Sequence, residues 1–216
     1  MSREYWLSRW AENRIGFHKP EVNPLLKRFL PLIASPPGRV LVPLCGKTED
    51  LIWLAAAGYD VTGVELSEIA ARTFVSEHKL MVAEGEEPPF KVLRSGRIEF
   101  LAGSFFDFTP ETRGRFDVIY DRAALIALPA DLRPAYARKI QSLIAPNGHV
   151  LLITLEYNPQ QMDGPPFNVP ESEVRTLFPG YTIDKMDEQD NLEEEPHFKA
   201  RGLAWMKEVV YHVRKI

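Results

Sequence analysis

Four short stretches carry residues whose types and spacing suit chemistry. The first is Leu44-Cys45-Gly46-Lys47-Thr48, where an apolar run ends in a polar turn holding one glycine. A dinucleotide loop needs G-x-G-x-x-G, so that a pyrophosphate can approach the backbone at a helix N-terminus; only Gly46 is present. A P-loop needs G-x-x-x-x-G-K-[ST]. Gly46-Lys47-Thr48 matches its end, but the earlier glycine position falls near Val42, inside the apolar run. The turn therefore suits backbone contact, at Gly46, with a ligand that carries no phosphate, such as an aminoacyl group.

The second stretch ends in Glu65, nineteen positions beyond Gly46 and directly after Val61-Thr62-Gly63-Val64. An acid at that distance can accept hydrogen bonds from both ribose hydroxyls. The third is Gly103-Ser104-Phe105-Phe106-Asp107. One phenylalanine would belong to the core and the other would line a slot for a base, with Ser104 or Asp107 at its edge. The fourth is Tyr120-Asp121-Arg122, a charge pair suited to a ligand carboxylate or a developing charge, or else to an internal ion pair. A ribose acid, a base slot and a loop without phosphate-binding glycines together fit S-adenosylmethionine, which has an adenosine end, no phosphate and a methionine end. The sequence offers no convincing Ser/His/Asp or Cys/His set and no metal-ligand cluster. Cys45, the single cysteine, is read as packing.

These stretches need a scaffold that brings them together. Apolar runs at 39–42, 60–65, 90–93, 97–102, 116–120 and 149–155 read as strands. Helical patterns at 48–57, 67–78, 134–144 and 171–178 alternate with them, with Ser67 placed as an N-cap. The 85–89 segment, with its charges and prolines, reads as a loop. Residues 181–187 and 203–213 read as a closing antiparallel pair. Helical patterns at 3–15 and 24–33 precede the first strand and read as a cap over residues 1–35, within a single domain spanning 1–216. Strands alternating with helices predict an α/β fold with a mostly parallel sheet covered on both faces. Ligands of such sheets lie beyond the carboxyl ends of the strands, where the four stretches fall.

The composition narrows the partners. The chain has 216 residues, 45% apolar and 26% charged, with formal net charge −4. No basic block suggests nucleic acid. No apolar stretch approaches the roughly 20 residues of a membrane span, and MSREYWLSRW lacks the apolar core of a secretory signal. The expectation is a cytoplasmic protein acting on a small molecule, with a monomer as the default.

At these residues a family resemblance appears. LVPLCGKTEDLIWLAAAGYDVTGVELSE, YWLSRWAENRIGFH, GSFFDF, FDVIYDRAALIALP and the closing RGLAWMKEVVYHV resemble the bacterial type of the thiopurine S-methyltransferase family over nearly the whole chain. In that family a leucine-cysteine-glycine-lysine loop replaces the glycine-rich loop of other methyltransferases. The resemblance implies a Rossmann-like class I methyltransferase with a seven-stranded sheet and an N-terminal helical cap. S-adenosylmethionine would be the donor, S-adenosylhomocysteine the product and a thiol the acceptor. It places donor contacts at Trp10, Leu44, Glu65, Ser104, Phe105 and Arg122, and substrate contact at Phe17. Relatives carry a basic residue near the acceptor sulfur in the C-terminal segment, a place that His197 or Arg201 fills here. Two rivals stand beside this reading: a methyltransferase for halide, thiocyanate, selenium or tellurium species, and a nucleoside-ligand binder without turnover. A dinucleotide oxidoreductase is disfavoured by the missing glycines.

Overall fold

Arg39–Pro43 is buried at every residue but its first, as a strand covered on both faces must be. It forms β1, at the centre of the sheet. The computed structural model describes residues 3–215. β2 (Asp60–Glu65), β3 (Ala83–Glu87), β4 (Phe90–Ser95), β5 (Ile98–Ala102), β6 (Phe116–Arg122), β7 (Ile144–Glu156), β8 (Tyr181–Asp190) and β9 (Lys207–Lys215) complete the sheet. Its order is β3-β4-β5-β2-β1-β6-β7-β9-β8. The β5-β2-β1-β6-β7 core is parallel throughout, while β9 and β8 close one edge antiparallel and β4 and β3 the other. The chain reverses its direction of winding between β1 and β6, the place where open α/β sheets bind ligands.

The resemblance implies seven strands, and among the described residues the sheet has nine; eight of them overlap strands read from the sequence, all but β3. β4 matches the expected strand at 90–93. β3 lies where a loop was read, because its sequence AEGEE has no apolar alternation and four of its five residues are exposed. Backbone pairing with β4 holds it, from Ala83 beside Arg94 to Glu87 beside Phe90. An acidic, exposed edge of this kind also discourages pairing with another chain.

The helices are α1 (Arg3–Ala11), α2 (Pro24–Ile33), α3 (Asp50–Ala56), α4 (Glu68–Glu77), α5 (Pro110–Arg113), α6 (Arg133–Leu143), α7 (Glu171–Leu177) and α8 (Pro196–Ala200). Two apolar layers separate them from the sheet. Leu26, Leu30, Leu51, Leu54 and Phe74 fill the layer under α2, α3 and α4. Phe108, Tyr136, Ile140, Leu143 and Val174 fill the layer under α6 and α7. Burying each such leucine or phenylalanine contributes about 1.5–3 kcal/mol.

The expected cap divides in two. α2 is a core helix: Leu26 and Leu30 are fully buried, and Asn23 caps it by accepting the Leu25 and Leu26 amides. α1 ends at Ala11 rather than at residue 15, because Asn13 turns the chain left-handed at φ 52°. Ser67 caps α4 as expected, accepting the Ala70 amide at 3.3 Å.

Candidate active site

The carboxyl ends of β1, β2, β5 and β6 open into one cavity of about 770 Å³, within the roughly 300–1,000 Å³ typical of small-molecule sites. The residues to which the resemblance gives donor or acceptor contacts lie in its wall; Asp107 and Asp121, also singled out by sequence, do not. Leu44, Gly46 and Glu65 come from the first two strand ends, Ser104 and Phe105 from the third, and Arg122 from β6. Trp10 and Phe17 come from the N-terminal segment, His197 and Arg201 from the C-terminal one.

The donor side is built of backbone. Leu44 adopts φ +48° and Gly46 φ +55°, so the chain turns sharply between β1 and α3; the left-handed region costs a residue with a Cβ about 1–2 kcal/mol. The buried Glu65 carboxylate spans this turn. Oε2 accepts the Gly46 amide and Oε1 the Ser67 amide, both at 2.9 Å. Burial raises its pKa, and the amide hydrogen bonds oppose that rise. A carboxylate has about four acceptor positions, so its backbone partners do not use them all. The Trp10 ring lies on Gly46: a Cβ added there would meet its Cζ2 at 3.3 Å. Trp10 is itself buried and meets Phe17 edge-on at 5.6 Å between centroids.

Lys47 turns away from the turn and pairs with Glu77 of α4, so the Gly-Lys-Thr sequence offers no phosphate cradle. Cys45 is buried with its sulfur against Gly63, and burial raises its pKa well above the ordinary thiol range. That is the packing role expected. Phe105 and Phe106 divide as read: Phe105 is buried against Tyr136 and Phe108, while Phe106 is partly exposed, and both reach the cavity.

Asp121 and Arg122 do not pair. Successive strand residues point to opposite faces. Asp121 is buried among α6, accepting the Tyr136 hydroxyl at 2.7 Å and the Leu125 amide at 3.1 Å. Burial pushes its carboxyl up to about 6, and those hydrogen bonds hold it down. Arg122 faces the cavity and, among the described residues, makes no hydrogen bond or ion pair. His197 is half exposed and lies 3.3 Å from Glu195; Arg201 donates to the Pro165 carbonyl at 3.3 Å.

Sequence reasoning missed Asp50, His18, Asn191, Glu195 and Glu208, which also line the cavity. Asp50 accepts the Asn23 amide at 2.8 Å and the Tyr120 hydroxyl at 3.2 Å, joining α2 to β6 beneath the site. Its signal was the acidic pair Glu49-Asp50 at a helix start. His18, Asn191 and Glu195 lie in segments without periodicity, and Glu208 in a strand whose pattern does not mark it; all gain meaning only from contacts distant in sequence, such as the 2.6 Å ion pair from Lys19 to Glu195.

This geometry can be set beside known proteins. The sequence pattern of the family described as Thiopurine S-methyltransferase (TPMT) matches residues 1–216. The chain belongs to the thiopurine S-methyltransferase family. A thiopurine S-methyltransferase of Bordetella petrii is 42% identical over 217 residues, covering 100% of this chain and 99% of the relative. One from Pseudomonas putida is 43% identical over 216 residues, covering 100% of both. A solved 1,6-didemethyltoxoflavin-N1-methyltransferase from Burkholderia thailandensis, with S-adenosylhomocysteine bound, has TM-score 0.67 at 20% identity, covering 99% of this chain and 86% of that one. TehB from Haemophilus influenzae has TM-score 0.59 at 14% identity, covering 92% and 64%. The first of these two structures shows the class I methyltransferase fold. As a member of the thiopurine S-methyltransferase family, the chain is a methyltransferase dependent on S-adenosylmethionine. Among the described residues, no helix is long and apolar enough to cross a membrane.

Proposed function

We propose that the chain methylates the sulfur of an aromatic or heterocyclic thiol, in the cytoplasm and as a monomer, without nucleic acid as a partner. The observation that carries this reading is the unpaired Arg122 guanidinium, placed in one cavity with the phosphate-free donor turn and the partly exposed ring of Phe17. A guanidinium stabilises the negative charge of a thiolate, and an aromatic edge packs against a flat acceptor.

S-adenosylmethionine supplies an electrophilic methyl group when bound. The donor set fits it: Glu65 has acceptor positions for ribose, the turn at Leu44 and Gly46 is shaped by backbone, and no lysine is free to meet a phosphate. Ser104 and Phe105 hold the base edge and face. Trp10 covers the sulfonium, to which an aromatic face is attracted. Arg122, with His197 and Arg201, faces the acceptor, and Phe17 sets its plane. The protein's part is alignment of thiolate and methyl carbon and exclusion of water by α1.

The test is methyl transfer from labelled S-adenosylmethionine to 6-mercaptopurine, with Glu65→Ala as control. Labelled product that the control lacks supports the thiol reading. Product from iodide, thiocyanate or selenite instead moves the acceptor to small inorganic species. Binding of the donor with no product from any acceptor leaves a nucleoside-ligand binder.

A further inference from the structure

Arg122 and Glu208 stand on the same face of the sheet. Arg122 lies beside Ile153, Ile153 beside Val210, and Glu208 two residues before Val210; the period of two puts all four side chains on one side. Both line the cavity. The Glu208 carboxylate is half used: Asn191 Nδ2 donates to Oε2 at 2.9 Å, while Oε1 has no hydrogen bond among the described residues. The Asn191 backbone is itself held, its N–H donating to the Met206 carbonyl at 2.9 Å, which anchors the residue whose side-chain amide meets Glu208. The carboxylate is thus oriented by a fixed amide, with one oxygen left for the cavity.

We propose that Glu208 is a catalytic base, whose Oε1 takes the proton the acceptor loses while Arg122 faces the acceptor's sulfur. This rests on the thiol-methyltransferase reading and narrows its acceptor class to heterocyclic thiones with an N–H on the carbon bearing sulfur. In such a group the sulfur forms a bond to the methyl carbon as the donor's sulfonium–methyl bond breaks and its electron pair stays on the donor's sulfur. The C=S bond becomes single, the N–H electron pair becomes C=N, and the proton passes to Oε1. One positive and one negative charge are consumed together, leaving neutral products. An iodide or thiocyanate ion has no proton to lose and gains nothing from this carboxylate.

The groups around Glu208 fit a working base. Burial raises its pKa; Arg122 on β6, Lys19 from the N-terminal segment and the Asn191 amide lower it, and Glu195 raises it. A base near the working pH serves best. Glu208 acts when ionised, so turnover of a protonated acceptor should rise with pH through its titration and then level.

Glu208→Gln keeps the size of the side chain and a partner for Asn191. It should lower kcat/KM for 6-mercaptopurine by about 100-fold or more and remove the acid limb of its pH profile. The loss for 4-nitrothiophenol, which enters as thiolate, should be at least about tenfold smaller, since no proton needs to leave. Asn191→Ala, which frees the carboxylate, should show the same selectivity at smaller size. Equal losses for the two acceptors, or none, overturn the assignment. A second readout needs no turnover. With S-adenosylhomocysteine bound, affinity for 6-mercaptopurine should fall as pH drops, and Glu208→Gln should flatten that dependence; a flat profile in the unaltered protein overturns the proposal. If neither thiol is methylated by the unaltered protein, the thiol reading fails, and the binding profile still judges Glu208.

Discussion

The two sides of the cavity are built by opposite means. On the donor side, the groups that would hold the ligand also hold the fold: Glu65 joins the turn after β1 to the start of α4 through two backbone amides, and Trp10 packs on Gly46. On the acceptor side, side chains from distant segments meet through half-exposed polar contacts such as the Lys19–Glu195 ion pair and His197 beside Glu195, around a guanidinium with no hydrogen bond or ion pair among the described residues. The first arrangement resists change in both stability and binding. The second lets acceptor contacts change with little effect on the fold, as a surface selecting among acceptors should.

The largest effect should come from Glu65→Ala. It removes the ribose acceptor and leaves the Gly46 and Ser67 amides unpaired, at about 1–3 kcal/mol for each buried donor. Donor affinity should fall about 100-fold or more, and stability should fall with it. The two amide bonds tie the loss of affinity to a loss of stability. Calorimetric titration and urea unfolding of the same samples decide the matter. Loss of affinity at unchanged stability would break the contrast between the sides.

Gly46→Ala comes next. Its φ of +55° disfavours a Cβ, and that Cβ would press on Trp10. A cost of about 1 kcal/mol or more in stability and roughly tenfold in donor affinity is expected, the latter by displacing the ring that the proposed function sets over the sulfonium. Thermal unfolding with and without donor reads both. An unchanged midpoint would mean the turn relaxes freely, and that the donor side is less fixed than argued.

Phe17→Ala tests the other side. Phe17 is 38% exposed and meets Trp6 and Trp10 edge-on, each at 5.6 Å between centroids. Edge contacts are worth about 0.5–1.5 kcal/mol each, so KM for an aromatic thiol should rise about 5–10-fold, with a smaller change in donor affinity and almost none in unfolding. Equal loss of donor and acceptor binding would remove Phe17 from the acceptor side.

Legibility followed the same division. The turn at Gly46 and the acid at Glu65 lie within one strand–turn–helix–strand unit, so their spacing alone pointed to them. Ser67 announced its cap for the same reason: the amide it binds is three residues away. Glu208 carried no such signal, since its meaning depends on Arg122, which the sheet brings near only through β7 and β9. Asp50 bonds Tyr120, 70 residues on. β3 escaped because it is held by backbone pairing at an edge where no apolar face is needed. α2 was taken for cap because its amphipathic pattern cannot say which surface it covers.

The smallest predicted effect is also the sharpest test of the contrast. Lys19 and Glu195 join the N-terminal and C-terminal segments at 2.6 Å, with side chains 44% and 22% exposed. Pairs of that exposure are worth less than about 1 kcal/mol. A double-mutant cycle of Lys19→Ala and Glu195→Ala on acceptor KM should therefore give less than about a fivefold change for each and a weak coupling. Raising the salt to about 1 M, where the screening length shrinks to about 3 Å, should weaken that coupling. Glu195 also meets His197, so Glu195→Ala should exceed Lys19→Ala by whatever that second contact contributes. A coupling above about 1 kcal/mol that survives salt would show the clasp to be buried in the working enzyme. The acceptor side would then be as fixed as the donor side, and acceptor choice would rest on shape rather than on adaptable charge.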